Sequence, residues 1–378
     1  MDFEFNEEHK IFREAIKDFV KREVVPVVDE AEEKQACPIE LFSKMGELGY
    51  LCPGYPTKYG GGGLGEIGTC IMIEELARAC SGIASGLMVQ SGLSTFPILA
   101  HGTEEQKQAY LPGIASGESI FTLAYTEING GLGAKDIATT AKLSGQDFII
   151  DGTKMFVPDA HIADYFLCVT RTGGHPDSEE GVSLFLVNAR SEGIEVKVLK
   201  TITGEKLCEV VFKGVKVPRN AILGEQGKGW RIMRRILDEA EVAESAWMSG
   251  GARWVLETCI DYACKRIQFG VPIGSFQAIQ HKCANMAVEV EGATSVTYYA
   301  AWAVAENDPQ LTLAASTAKA WCSEAYKHAA IEGIQIHGGI GYTWDHDMHL
   351  YLKRAKSSEV AFGDADYHRE RVATLMNI

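Results

Sequence analysis

Asp238 and the three glutamates Glu239, Glu241 and Glu244 crowd one stretch of this sequence, LDEAEVAE at 237–244. Carboxylates that share a pocket with little water are what general acid–base chemistry uses, because desolvation and mutual repulsion raise the pKa of at least one of them. On helix statistics alone the same run reads as a solvated acidic helix start, favoured by the helix dipole. Other chemistries are harder to assemble. Asp345-His346-Asp347-Met348-His349 has a metal-like spacing, but a lone H-x-x-H in a loop lacks the three or four convergent ligands a metal needs and reads as surface, so no metal is expected. Ten cysteines are scattered without a C-x-x-C pair, which leaves reduced, mostly buried thiols. No G-x-S-x-G elbow and no P-loop occurs, which removes serine hydrolases and P-loop nucleotidases. Gly60 to Gly63 in KYGGGGLGE follow a proline-containing loop instead of a strand, so they read as a flexible turn and not as a dinucleotide fingerprint.

These side chains need a frame, and 378 residues allow two or three packed domains. Up to about residue 115 apolar residues recur at helical spacing: Phe12, Ile16, Phe19 and Val20, then Leu41, Met45 and Leu48, then IMIEELARAC. Between about 121 and 225 short β-branched and aromatic runs (DFIIDG, YFLCVTR, VSLFLVNA, CEVVFKGVKVP) alternate with turn signals, which predicts an antiparallel sheet or barrel. From Gly227 the helical period returns, with Ala252, Val255, Leu256, Cys259, Ile260, Ala263 and Ile267 on one face. The expectation is an α+β protein: an N-terminal helical domain over 1–119, a middle antiparallel β-domain over 120–226 and a C-terminal four-helix-bundle domain over 227–378. A formal charge of −15 repels nucleic acid and anionic membranes, so neither is expected as a partner. The absence of an apolar membrane-length window and of a basic, apolar N-terminal segment predicts a cytoplasmic protein.

Three further stretches belong together: LAYTEINGG at 123–131, KRIQFGVPIGSFQAIQHK at 265–282 and IQIHGGIGYT at 334–343. With Arg266-x-Gln268-Phe269-Gly270-x-Pro272-Ile273, then Phe276-Gln277-Ala278-Ile279-Gln280, then Gln335-x-x-Gly338-Gly339-x-Gly341-Tyr342, the chain resembles the acyl-CoA dehydrogenase family along essentially its whole length. The resemblance implies FAD. Arg266, Phe269, Gln277, Gln335, Gly338 and Gly339 become contacts to its adenine-side half, partly across a subunit boundary, in a homotetramer built as a dimer of dimers. The physics agrees, since a pyrophosphate on an acidic protein requires fixed donors such as a guanidinium and glycine N–H groups. Without the family, Gly338-Gly339 reads as a helix C-cap. Leu123, Tyr125, Thr126, Gly131 and Leu132 fall where the family covers the flavin ring, although Leu132 replaces a serine that hydrogen-bonds there. Phe156-Val157-Pro158 stands for Trp-Ile-Thr, so an aromatic wall is kept while a hydroxyl near flavin N5 is lost, and Pro158 has no N–H.

The chain departs most from the family at the catalytic base. The family removes the α-proton of an acyl-CoA thioester with the Glu of Tyr-Glu-Gly-Thr; here Ala361-Phe362-Gly363-Asp364 occupies that register. The alternative position, on the first long helix after the sheet, holds Ala240. One turn on, at i+4, Glu244 projects from the same face. Glu244 is therefore the expected acid–base residue, Glu241 its neighbour, and Asp364 next in line. Gln90 and Ser91 are expected to shape the acyl pocket, with Asp238, Phe362 and Gly363 beside the substrate. The resemblance implies FAD-dependent dehydrogenation of an acyl-CoA thioester with a non-standard base and a cyclic or otherwise unusual acyl group, with electrons passed to an electron-transfer flavoprotein. Two alternatives are a 1,4-type elimination on a cyclic unsaturated acyl-CoA and a catalytically silent subunit paired with an active homologue.

Overall fold

The computed structural model describes residues 5–34, 39–79, 82 and 96–378. Gln90 and Ser91 therefore lie outside the described residues. The chain opens with helices α1 (Glu7–Phe19), α2 (Val28–Lys34), α3 (Ile39–Glu47), α4 (Gly65–Ala79), α5 (Phe96–His101) and α6 (Glu104–Ala115). Strands β1 (Phe121–Ala124), β2 (Thr140–Ser144), β3 (Asp147–Pro158), β4 (Tyr165–Arg171), β5 (Val182–Asn188), β6 (Ile194–Val198), β7 (Leu207–Pro218) and β8 (Ile222–Leu223) follow. Helix α7 (Gly229–Lys265), the short strands β9 (Ile267–Gln268) and β10 (Val271–Pro272), and helices α8 (Gln277–Ala305), α9 (Leu311–His337), α10 (Met348–Val360) and α11 (Ala365–Leu375) complete it. This is the helical, β, helical order of an α+β protein. The chain folds into two compact units, one of Met1–Val28, Leu64–Ser85 and Glu241–Ile378, the other of Asp29–Gly63 and Gly86–Ala240.

Local chemistry sets the element ends. Asn6 caps α1 by accepting the His9 N–H at 2.8 Å, and Phe12, Ile16 and Phe19 are buried at i, i+4 and i+7. Leu48, expected on the buried face with Leu41 and Met45, lies just beyond the end of α3 and is half exposed. Thr103 and Gln106 close a reciprocal capping box on α6.

The β-sheet runs in the order β6-β7-β3-β2-β4-β5-β8, with β1 beside β4. It is not purely antiparallel: β1 pairs with β4 in parallel over Phe121–Ala124, and β2 meets β4 in parallel at Thr140 and Arg171. The long connection from β1 through β2 and β3 permits that direction, which a tight hairpin would forbid. Phe148, Phe166, Phe185, Val210 and Phe212 fill the sheet's core.

In the other unit, α7, α8, α9 and α10 pack around Met248, Val255, Met286, Val290, Tyr326 and Tyr351. Small residues such as Ala252, Ala293 and Ala325 let the helices approach. Ile267 does not continue the apolar face of α7. The helix stops at Lys265, and Ile267 pairs with Pro272 in an exposed hairpin whose corner, Phe269 at φ +54° and Gly270 at φ +81°, takes the left-handed backbone of a two-residue turn. No helix among the described residues is long and apolar enough to cross a membrane.

Candidate active site

From Ile236 to Ala252 helix α7 is buried all round, so its carboxylates are interior groups and not a solvated helix start. Asp238 and Glu239 are buried, and Glu239 pairs with Arg235 one turn back. Glu241 is 2% exposed; its Oε1 accepts from Arg371 Nη1 at 2.6 Å, and its Oε2 lies 3.9 Å from His368 Nδ1. Glu244 is 1% exposed. Lys319, in the middle of α9, is wholly buried. Burial pushes its pKa below the ordinary lysine value, against the pull of Glu244 first and Glu241 next.

Lys319 and His368 hold the turn between α10 and α11. Lys319 Nζ donates to the carbonyls of Ser358 (3.1 Å), Glu359 (3.2 Å) and Gly363 (2.9 Å) and to Ser323 Oγ (3.1 Å). His368 is buried, and burial first, then Lys319 and Arg371, pushes its pKa down to about 3. It is therefore a neutral imidazole. Its Nε2 lies 3.1 Å from the Phe362 carbonyl, which can only accept, so the proton sits on Nε2. Phe362 has φ +57° and Gly363 φ +102°, where an added Cβ would stand 2.3 Å from the Tyr367 ring. Asp364 is the N-cap of α11, its Oδ1 accepting the Tyr367 N–H at 2.8 Å. Its carboxylate is thus engaged by the helix start.

The other unit presents a second strained aromatic. Between Lys154 and Val157 the β3–β7 register slips, and the bulge puts Phe156 at φ +56° with half its surface exposed. Two residues earlier Lys154, wholly buried, donates to Glu127 Oε1 at 2.7 Å and to the Tyr125 carbonyl at 3.1 Å. Glu127 also accepts the N–H groups of Ala138 and Thr139. Burial raises its pKa, but Lys154 and the Thr139 N–H outweigh that and hold it below the ordinary range. The Thr126 carbonyl accepts the Met155 N–H at 2.8 Å, and Thr122 Oγ1 donates to the Pro158 carbonyl at 2.6 Å. Leu123 and Tyr125 are buried, and Thr126, Gly131, Leu132 and Pro158 are half buried along this edge.

Arg266, Phe269 and Gln277 are exposed around the β9–β10 hairpin, and Gln335, Gly338 and Gly339 are exposed at the end of α9. Tyr262 joins the two places: its carbonyl accepts the Arg266 N–H at 2.8 Å, and its ring stacks on His337 with centroids 4.3 Å apart. Gly338 is the C-cap of α9 at φ +62°, and a Cβ on Gly338 or Gly339 would meet nothing within 4 Å. Helix α8 begins here without a side-chain cap. An exposed guanidinium, two amides, two open glycines and an uncapped helix start form a donor set that suits a pyrophosphate and a purine.

Family models for the N-terminal, middle and C-terminal domains of acyl-CoA dehydrogenase match residues 6–118, 122–215 and 227–376. The chain belongs to the acyl-CoA dehydrogenase family. It is accordingly a flavoprotein oxidoreductase that uses FAD to dehydrogenate acyl-CoA thioesters. It is 33% identical over 376 residues, 99% of each chain, to the Bacillus subtilis (strain 168) protein named probable acyl-CoA dehydrogenase YngJ. It is 30% identical over 378 residues to an acryloyl-CoA reductase (NADH) of Anaerotignum propionicum, covering 99% of this chain and 95% of that one. The structure of butyryl-CoA dehydrogenase from Megasphaera elsdenii matches with a TM-score of 0.95 at 28% identity over all of both chains.

Among the described residues three phenylalanines, Phe156, Phe269 and Phe362, have positive φ, and all three sit at positions the family resemblance marks. A bulky residue with that backbone is strained, and such strain gathers at functional sites. Sequence reasoning did not single out Lys154, Lys319, His368 or Arg371. The one local signal was a lone lysine within the apolar run LAASTAKAWC of α9. The Asp345–His349 stretch is not all surface either: His349 is buried in the first turn of α10, under Trp344. No group of three or more His, Cys, Asp or Glu side chains that could hold a metal occurs among the described residues.

Proposed function

We propose that this acyl-CoA dehydrogenase moves the substrate α-proton with a carboxylate of α7, Glu244, because the turn before α11 offers Phe362 where the family places its base. One observation carries the reading: Glu244 is a buried carboxylate, and among the charges acting on Lys319, the lysine that grips that turn, its charge comes first. Of the neighbouring acids, Glu239 pairs with Arg235, Glu241 pairs with Arg371, and Asp364 caps α11. Bound FAD supplies the hydride acceptor for the β-carbon. In the reaction the α C–H bond breaks, its proton passes to a Glu244 carboxylate oxygen, and the hydride from the β-carbon goes to the bound flavin; the Lys319 charge favours the ionised Glu244 that begins the cycle. Arg266, Gln277, Gln335 and the Gly338-Gly339 backbone would hold the dinucleotide; in the other unit, Thr126 and Phe156 stand at the positions that the resemblance assigns to the flavin ring.

A base displaced from the usual turn suits an acyl group whose reacting C–H is displaced too, such as a cyclic or unsaturated one. Electron-transfer flavoprotein is the proposed electron partner, and a homotetramer the proposed assembly. The test is anaerobic titration of the purified holoprotein with straight-chain, branched and cyclic acyl-CoAs, followed by identification of the products. Bleaching by a cyclic or unsaturated thioester, slowed in Glu244→Gln, supports the reading. Bleaching at the wild-type rate in Glu244→Gln refutes it, and a flavin that no thioester bleaches points to the silent subunit.

A further inference from the structure

The two carboxylates of α7 stand behind two successive carbonyls of the 360–364 turn. On one side Glu244 and Glu241 act on Lys319, whose Nζ reaches the Gly363 carbonyl at 2.9 Å. On the other Glu241 Oε2 lies 3.9 Å from His368 Nδ1, and His368 Nε2 reaches the Phe362 carbonyl at 3.1 Å. Arg371 fixes Glu241 from the same helix that carries His368. The turn so gripped contains a phenylalanine at φ +57°. That conformation is strained for an L-residue and persists only where surrounding bonds over-determine it. Glycine at position 362 would make the same turn without strain. A strained aromatic is what results when the direction of the side chain matters more than the ease of the turn.

We infer that His368 and Lys319 are positioning residues for substrate: together they fix the backbone of the turn so that the Phe362 side chain forms a rigid wall of the acyl site. This rests on the reading that the turn faces the acyl group. Because His368 stays neutral, its Nε2–H is a constant donor and not a switch. Lys319 contributes a bifurcated charge-assisted grip on the two ends of the same turn.

The holoprotein with His368→Leu, His368→Gln and Phe362→Leu decides the matter, with FAD content and circular dichroism recorded for each. In His368→Leu the Phe362 carbonyl loses its donor. We expect KM for the best acyl-CoA of the panel to rise about 10-fold, the size of one net hydrogen bond, with kcat within about twofold. Hydrogen exchange of the 360–364 amides should quicken in parallel. His368→Gln, whose Nε2–H can reach the same carbonyl, should recover most of both changes. A folded, flavin-bound His368→Leu protein with wild-type KM and exchange overturns the inference, as does a loss that Gln does not rescue. If Phe362→Leu also leaves KM unchanged, the turn does not face the acyl group and the underlying reading fails. If Phe362→Leu shifts KM while His368→Leu does not, only the positioning role fails. Should no thioester perturb the flavin, the exchange rates still show whether His368 fixes the turn.

Discussion

The bulged end of β3 and the turn before α11 solve the same problem in different ways. Each holds a phenylalanine at positive φ, and each has a wholly buried lysine, Lys154 two residues before Phe156 and Lys319 bonded to the turn. Lys154 has a carboxylate in direct contact, Glu127, which two backbone N–H groups also satisfy. That is a closed ion pair whose charges cancel where they stand. Lys319 instead spreads its protons over three carbonyls and a hydroxyl, while its countercharge resides on Glu244 and Glu241. The first arrangement is electrostatically quiet, which suits the proposed flavin wall. The second places buried carboxylates whose charges act on a buried lysine, the setting the proposed proton transfer would use.

If that contrast is sound, removing the carboxyl charge should damage chemistry in one region and stability in the other. Glu244→Gln is expected to bind FAD and substrate while flavin reduction, followed by anaerobic rapid mixing, slows about 100- to 10,000-fold, the usual loss for a general base. Its converse, Phe362→Glu, should create or increase ordinary α,β-desaturation of simple acyl-CoAs, read by product analysis; a folded, flavin-bound variant with no new activity would mean the turn is not where the base belongs. In the quiet region the effect should appear in unfolding. Lys154→Met strands Glu127 without its buried cation, and denaturant melts should show a loss of about 3–5 kcal/mol. A loss below about 1 kcal/mol would erase the contrast. Glu127, held below its ordinary pKa of 4.5, stabilises the fold above that pH and ceases to as pH falls through its native value.

His368 sharpens the comparison through pH. Its pKa is 6.5 when unfolded and about 3 in the fold, so between those values the unfolded chain binds a proton that the native one refuses. Stability is therefore full above pH 6.5 and falls on acidification, by on the order of 4 kcal/mol across the window. His368→Gln should flatten that part of the profile, measured as the melting temperature against pH. An unchanged acid limb would mean that other groups dominate it.

Much of this was legible in the sequence because it is local. The switch from helical to alternating periodicity marks the three segments, and the spacing of Arg266-x-Gln268-Phe269-Gly270 and Gln335-x-x-Gly338-Gly339 survives intact because each motif is one hairpin or one helix end. What escaped is what long-range packing decides. Lys319 bonds a carbonyl 44 residues away, and nothing in AAWAVAENDPQLTLAASTAKAW says which turn will be there. The acidic run 238–244 resembles a solvated helix start by composition alone; only packing on every side of α7 makes it an interior cluster. Ile267 fits the apolar face of α7 by periodicity, yet Gly270 and Pro272 impose a hairpin that periodicity does not weigh.

The smallest expected effect lies in the hairpin, the third place with a left-handed phenylalanine. Arg266 is exposed, and its contribution is to whatever lies beside the hairpin and not to the core beneath it. In a chain of net charge −15 the overall field disfavours an anionic dinucleotide, so a guanidinium beside it carries weight. A charge-assisted hydrogen bond is worth about 1.5–3 kcal/mol, which corresponds to roughly 10- to 150-fold in affinity. Arg266→Ala should therefore fold with unchanged stability as apoprotein and lose FAD on dilution, followed by gel filtration and flavin absorbance. Added FAD at high concentration should restore it, since the open glycines at 338 and 339 remain. Tight, stoichiometric FAD in this variant would remove the hairpin from the dinucleotide site and leave its strained Phe269, 93% exposed, to be explained by contact with another subunit alone.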